Sequence, residues 1–182
     1  LSQAKIYAFI LLDLSLLLIG DFKMSLAIGL LGILITKPFA DVTGVPFKFD
    51  PLWFPRSMFA SFDRVYWPKI SEAWQVYETT GSFLKLYLVN IIALIVFLVG
   101  NLGVRVVGLF GLLAQKTIDN TDKLLKTLIV LSILIPLFAT QKVNPWNSIQ
   151  FMYYGLSILA LYTAKYIPQK FYLYLPIILL AL

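Results

Sequence analysis

Six stretches without charged residues follow one another along the chain, apart from Asp13 in the first of them. They cover residues 6–20, 24–36, 86–104, 127–141, 143–164 and 171–182. A helix needs about 20 apolar residues to cross the hydrocarbon of a bilayer, and flanking lysines lengthen a span because their charged ends reach back to the interface. The pattern therefore predicts an all-α fold, a polytopic integral membrane helix bundle with five to six transmembrane helices.

These stretches divide a single predicted membrane domain, residues 1–182, into three parts. Residues 1–36 are predicted to form a helical hairpin, because a polar turn at residues 20–23 separates the first two stretches; a re-entrant hairpin is the alternative, since the second stretch is short. Residues 37–83 are predicted to lie outside the hydrocarbon, and residues 84–182 to form three to four further membrane helices. Because the last stretch is too short to span, we expect the chain to be a fragment of a larger protein.

The segment between the second and third stretches holds three of the four Trp residues, a composition typical of the headgroup region of a bilayer. We expect one or two amphipathic helices on the membrane surface. Pro55 suits the first position of one helix, and spacings of three and four residues predict an apolar stripe on it. The stripe contains Met58, Phe59, Phe62, Val65 and Tyr66. Pro68 is predicted to end this helix and to open a second one that runs to residues 79–81.

The second half of the chain carries several helix signals. Asp119 and its neighbours to residue 122 are predicted to cap a helix, which Pro136 kinks near its far end. Residues 144–146, Asn-Pro-Trp, are predicted to open the next helix. Small residues at short intervals favour close approach of a neighbouring helix, and we expect this of Gly100, Gly103, Gly108 and Gly111.

Composition narrows the chemistry that is open to the protein. The chain is 60% hydrophobic and 13% charged, and it contains no His and no Cys. Imidazole acid–base chemistry, thiol chemistry, disulfides and the usual zinc sites are therefore excluded, and no metal site is predicted from the residues. We interpret the net charge of +6 as anchoring to membrane lipids, and we do not expect nucleic-acid binding.

Asp13 is a weak catalytic candidate because it lies near the middle of the first apolar stretch. A carboxylate exposed to hydrocarbon costs a few kcal/mol, so it is expected to face the bundle interior or a wet cavity. There it could bind a proton, a metal ion or a substrate. The alternative is a structural role, as a protonated side chain or paired with a basic residue such as Arg105.

A polar stripe is predicted on the helix after Trp146. Asn147, Gln150, Tyr154 and Ser157 are spaced by three and four residues, which places them on one helix face. Such a stripe forms hydrogen bonds to another helix or lines a cavity. Asn147, Gln150 and Tyr154 are the candidates for contact with a sugar or a headgroup.

Residues 37–83, called the aromatic segment below, contain the second group of candidate functional residues. Arg56 and Arg64 are predicted to bind phosphate, because the planar guanidinium fits phosphate oxygens. Asp63 is the other weak catalytic candidate, able to act as a base or to bind a divalent cation such as Mg²⁺ or Mn²⁺. The alternative is anchoring to lipid headgroups, with an ion pair between Asp63 and Arg64.

Three stretches together carry a resemblance to known proteins. They are Phe-Pro-Arg-Ser-Met at residues 54–58 leading to Asp63-Arg64, Phe-Leu-Val-Gly-Asn-Leu-Gly-Val-Arg at 97–105, and Asn-Pro-Trp-Asn-Ser-Ile-Gln-Phe-Met-Tyr-Tyr at 144–154. They resemble uncharacterised polytopic membrane proteins of candidate-phyla bacteria, which broadly resemble the C-type membrane glycosyltransferases. The resemblance covers roughly residues 47–166. It implies a bacterial inner-membrane protein that transfers a sugar from a lipid-phosphate donor, with a polyprenyl-phosphate sugar as its partner.

The chain also departs from that family. C-type enzymes carry their key acidic residues in the first outer loop, whereas the corresponding turn here holds Asp21 alone. No catalytic residue is therefore transferred from the resemblance. Two alternatives stand beside the transferase: a transporter or flippase segment, in which Asp13 and the polar stripe line a pathway, and a non-catalytic membrane scaffold.

Overall fold

A computed structural model describes residues 2–36, 47–114, 116, 119–142 and 144–166, with the backbone alone for residues 2–5. The fold is all-α, as predicted. Its helices are α1 (Ser2–Ile19), α2 (Phe22–Thr36), α3 (Trp53–Ala60), α4 (Pro68–Thr79), α5 (Phe83–Leu102), α6 (Val106–Ala114), α7 (Asn120–Phe138) and α8 (Ile149–Tyr166). Short 3₁₀ turns lie at Gly103–Arg105 and Pro145–Ser148, and the strands β1 (Phe47–Phe49) and β2 (Ala139–Gln141) form an antiparallel pair that the sequence pattern did not predict.

Helices α7 and α8 form the centre of the bundle. Helix α8 packs against α7 and α6, and α1 packs against both α7 and α8. Helix α2 packs on α1, while α3 and α4 cover α5. The core has two parts: a larger cluster around Phe97, Ile129, Met152 and Leu159, and a smaller one of Tyr7, Leu11, Leu128 and Phe151.

The contacts between side chains define two ends of the bundle. At the upper end the Tyr7 hydroxyl donates to Gln141 Oε1 at 2.8 Å, and the Phe49 ring stacks on Phe138. At the lower end the Tyr162 hydroxyl donates to Asp122 Oδ1 at 2.8 Å, which joins the end of α8 to the start of α7. Strand β1 therefore lies at the upper end, and so does the start of α8, because α7 and α8 run in opposite directions.

Two glycines of α6 allow close contact with α8, as predicted. A β-carbon at Gly108 would lie 2.9 Å from the carbonyl oxygen of Leu159, and one at Gly111 would lie 2.8 Å from the ring of Tyr166. The same prediction is wrong for Gly100 and Gly103, where no atom lies within 4 Å of the β-carbon position.

Gly103 has a different role, since it ends α5. Its φ of 51° and ψ of −132° are rarely adopted by residues with a side chain. The apolar run from α5 into α6 is therefore bent at Gly103–Arg105. Among the described residues, one helix is long and apolar enough to cross a membrane, the 32-residue unit Phe83–Ala114 that contains this bend. Ile6–Ile19 and Phe22–Ile35 are apolar but shorter, and the predicted run at 171–182 lies outside the described residues.

The predicted helix caps and proline positions are confirmed in part. Asp119 caps α7 by accepting from the Asp122 backbone N–H at 2.7 Å, Pro136 lies inside α7 near its end, and Pro68 opens α4. Pro145 opens the 3₁₀ turn before α8, although the Asn144 side chain makes no capping bond.

The predicted helix through residues 55–66 is wrong in its bounds. Helix α3 begins at Trp53, so Pro55 occupies its third position, where a backbone N–H is still not required. It ends at Ala60 because Ser61 is extended, and the chain then turns. Phe62 is consequently 85% exposed and Tyr66 has a positive φ, so neither continues the apolar stripe.

Candidate functional site

Arg56 lies on α3 and meets a carboxylate supplied by the residues just after β1. Its Nη2 lies 3.3 Å from Asp50 Oδ1, and Lys48 Nζ lies 2.9 Å from the other oxygen of the same carboxylate. The backbone N–H of Asp50 donates to the Phe138 carbonyl at 2.9 Å, which fixes Asp50 at the upper end of α7. Asp50 was not among the sequence candidates.

The guanidinium of Arg56 also stacks on an aromatic face. Its Cζ lies 4.4 Å from the centroid of the Trp74 ring on α4, a cation–π contact that ties α3 to α4. Burial lowers the pKa of Arg56, an effect opposed by the charges of Asp50 and Glu78. Because a guanidinium titrates far above neutrality, Arg56 remains a cation at physiological pH.

A small depression opens beside Arg56, between α3, α4 and α5. It encloses about 210 Å³ of empty space including its open mouth, and Arg56, Ser71 and Trp74 supply its polar groups. Phe59, Ile70, Val89 and Ala93 form its apolar wall. Most of this space is open to solvent, and its enclosed part, about 10 Å³, has room for no more than about one water molecule.

Arg64 and Asp63 lie in the turn after α3 and pair with each other. Arg64 Nε is 3.6 Å from Asp63 Oδ2, and their side chains are 47% and 59% exposed. An exposed pair of this kind contributes about 0–1 kcal/mol to stability. The Arg64 guanidinium also lies 5.1 Å from the centroid of the Trp146 ring, so it reaches the 3₁₀ turn that precedes α8.

A cluster of aromatic rings holds this arrangement on the bundle. Trp146 meets Trp53 and Phe54 in edge-to-face contacts with centroids 5.3 and 5.1 Å apart, and Phe54 meets Phe97 of α5 at 5.5 Å. Such pairs contribute about 0.5–1.5 kcal/mol each beyond the area they bury. The cluster fixes α3 against α5 and α8, and thereby places both arginines on the same end of the molecule.

The predicted polar stripe is divided by the structure. Asn147 lies in the 3₁₀ turn rather than on α8, because the helix begins only at Ile149. Tyr154 packs beside the smaller core cluster, and Ser157 is exposed and donates to the Tyr153 carbonyl at 2.9 Å. Gln150 has a buried Oε1 for which the described residues provide no donor.

Asp13 faces the neighbouring helix of the hairpin. The Ser25 hydroxyl donates to Asp13 Oδ1 at 2.6 Å, and the carboxylate lies against Gly29. Arg105 is not its partner, since the described carboxylates include none that pairs with Arg105.

The described parts of the chain contain no group of three acidic residues that could hold a metal ion. Comparison with protein-family models, with curated proteins and with solved structures found no match to this chain. The resemblance to C-type glycosyltransferases therefore stays a prediction that rests on the residues quoted above.

Proposed function

We propose that the chain is a polytopic protein of the bacterial inner membrane, with α1, α2, the α5–α6 unit, α7 and α8 as spans. The large apolar side chains exposed on α2 support this proposal, because hydrocarbon would cover them favourably. They are Leu26, Leu30, Leu31, Ile33 and Leu34. Lys23 lies in the first turn of the same helix, where its charged end can reach an interface.

We further propose that the upper end binds the phosphate of a lipid-linked sugar. The observation that carries this proposal is the position of Arg56, a cation held against Trp74 at the wall of an open depression. The indole N–H of Trp74, which also lines the depression, is buried without an acceptor among the described residues and is a second donor for a ligand. Phosphate can accept from both after a small movement of the ring.

The proposed activity is transfer of a sugar from a polyprenyl-phosphate donor. Arg56 holds the phosphate, and Arg64 adds charge at the same end. Asp63 can accept a proton from an acceptor hydroxyl once Arg64 turns toward the phosphate. Of the residues in the predicted polar stripe, Gln150 is best suited to bind a sugar hydroxyl, because its buried amide oxygen has no donor among the described residues.

The ion pairs favour the alternative of a non-catalytic membrane scaffold. Asp50 already neutralises the charge of Arg56, and Asp63 that of Arg64. Substitution of Asp50 separates the two functions. If Arg56 binds phosphate, Asp50 competes with that phosphate, and Asp50→Asn should raise the affinity. If the pair is only structural, the same change should lower stability and leave binding unaltered.

The test measures binding of a polyprenyl phosphate to the detergent-solubilised chain, with the phosphate-free polyprenol as the reference ligand. Charge-assisted hydrogen bonds contribute about 1.5–3 kcal/mol, so Arg56→Ala should weaken binding by about ten-fold or more. Lys69→Ala is the matched control, because Lys69 is an exposed cation of α4 that forms no ion pair in the described structure. Unchanged binding in Arg56→Ala, or equal loss in Lys69→Ala, would rule out the proposal.

A further inference from the structure

Arg105 is a cation in the middle of an apolar run. It lies in the 3₁₀ turn Gly103–Arg105 between α5 and α6, and no other charged residue occurs from position 86 to 115.

Contacts with α8 show how deep Arg105 lies in the bundle. Gly108 lies against Leu159 and Gly111 against Tyr166, so α6 and α8 run in the same direction. Arg105 precedes Gly108 by almost one turn and is therefore at the level of Leu159 or above it. At 1.5 Å per residue, this position is about 10 Å or more from the lower end of α8.

The guanidinium has no partner in the described structure. Arg105 Nε is buried without an acceptor. The chain has nine carboxylates; the eight that are described form no ion pair with Arg105, and Asp41 lies outside the described residues. A cation at this depth in an apolar run is destabilising unless an anion meets it.

The bend is open to the outside of the bundle. No atom lies within 4 Å of the β-carbon positions of Gly100 and Gly103. Val99 and Phe110, on either side of the bend, are 58% and 51% exposed. An amphiphile can therefore reach the bend along an apolar surface.

We infer that Arg105 binds the phosphate of an anionic phospholipid whose acyl chains lie along the exposed face of α5 and α6. The guanidinium fork matches phosphate oxygens, and the apolar surface on both sides of the bend matches lipid tails. This site is separate from the phosphate site proposed at the upper end, although it shares the proposal that α5–α6 crosses the membrane.

The experiment titrates the detergent-solubilised chain with phosphatidylglycerol or phosphatidylcholine and counts bound lipids by native mass spectrometry. The unsubstituted chain should prefer phosphatidylglycerol, and Arg105→Gln should weaken that binding about ten-fold. Arg105→Lys should keep part of the preference because it keeps the charge. Lys123→Gln is the matched control, since Lys123 is an exposed cation at the lower end, and it should bind as the unsubstituted chain does.

Three results would overturn the inference: equal binding by Arg105→Gln and the unsubstituted chain, displacement of the lipid by millimolar inorganic phosphate, or no preference for phosphatidylglycerol in a folded Arg105→Lys chain. If a carboxylate from another membrane segment is the true partner, phosphatidylglycerol will show no preference at all. Failure of the upper site is recognised separately, because that site is tested by the binding of polyprenyl phosphate to Arg56→Ala and this one by the binding of phosphatidylglycerol to Arg105→Gln.

Discussion

Substitution of Gly155 tests the central helix crossing of the bundle. A β-carbon at Gly155 on α8 would overlap the Ser132 side chain of α7 and lie 3.5 Å from the Ile129 Cα. Ser132 and Ile129 are both 0% exposed, so α7 cannot move away without losing core contacts. Forcing an extra methyl group into a packed site costs about 1–3 kcal/mol, while the better helix propensity of Ala returns up to about 1 kcal/mol. Because the overlap with Ser132 is severe, the cost lies near 3 kcal/mol, and Gly155→Ala should lower the free energy of unfolding by about 2 kcal/mol.

The assay is equilibrium unfolding of the chain in mixed micelles of increasing sodium dodecyl sulfate content, followed by far-ultraviolet circular dichroism. Gly100→Ala is the matched control, because its β-carbon would meet open space, and it should be neutral or stabilising by up to about 1 kcal/mol. Adding Ser132→Gly to Gly155→Ala removes the overlapping atoms, so the two changes should be coupled by about 1–3 kcal/mol. A Gly155→Ala chain as stable as the unsubstituted one, with no coupling to Ser132→Gly, would refute the crossing.

Three further predictions use the same unfolding assay. Asp119→Ala removes the cap of α7 and should cost about 1 kcal/mol, whereas no loss would mean that the α7 terminus frays. Phe97→Ala should cost about 3–5 kcal/mol because Phe97 is 0% exposed, and Val99→Ala, at a 58% exposed position, should cost much less; equal losses would contradict the packing of α5. Asp13→Asn keeps an acceptor for the Ser25 hydroxyl, so stability should change by less than about 1 kcal/mol; a larger loss would assign the charge of Asp13 a structural role.

Features of helices that depend on only a few neighbouring residues could be predicted from the sequence. The cap at Asp119, the helix start at Pro68 and the proline inside α7 depend on local backbone geometry, and the structure has all three. The pairing of β1 with β2 could not be predicted, because it joins residues about 90 positions apart and each strand has three residues.

The candidate site could be predicted only in part, because it too depends on contacts between residues that are distant in the sequence. Arg56 could be chosen from its chemistry and its aromatic neighbourhood, but its partner Asp50 depends on the contact between β1 and α7. Helical periodicity misplaced Asn147, because periodicity is informative only inside a helix and the 3₁₀ turn delays the start of α8.

The type of polar side chain separates positions that need an external partner from those that do not. Three buried hydroxyls donate to a carbonyl three or four residues earlier in their own helix: Ser15 to Leu11, Ser132 to Ile129 and Thr163 to Leu159. Such a side chain is satisfied wherever the helix is placed, so it carries no information about a ligand. Amides, indoles and guanidiniums are not satisfied so readily, and the buried polar atoms that lack a partner in the described structure belong to Trp74, Asn90, Arg105 and Gln150. The atoms of Trp74 and Arg105 are donors, whereas those of Asn90 and Gln150 are acceptors, and this is the physical reason to look for anionic ligands in the depression of Arg56 and at the bend of α5–α6.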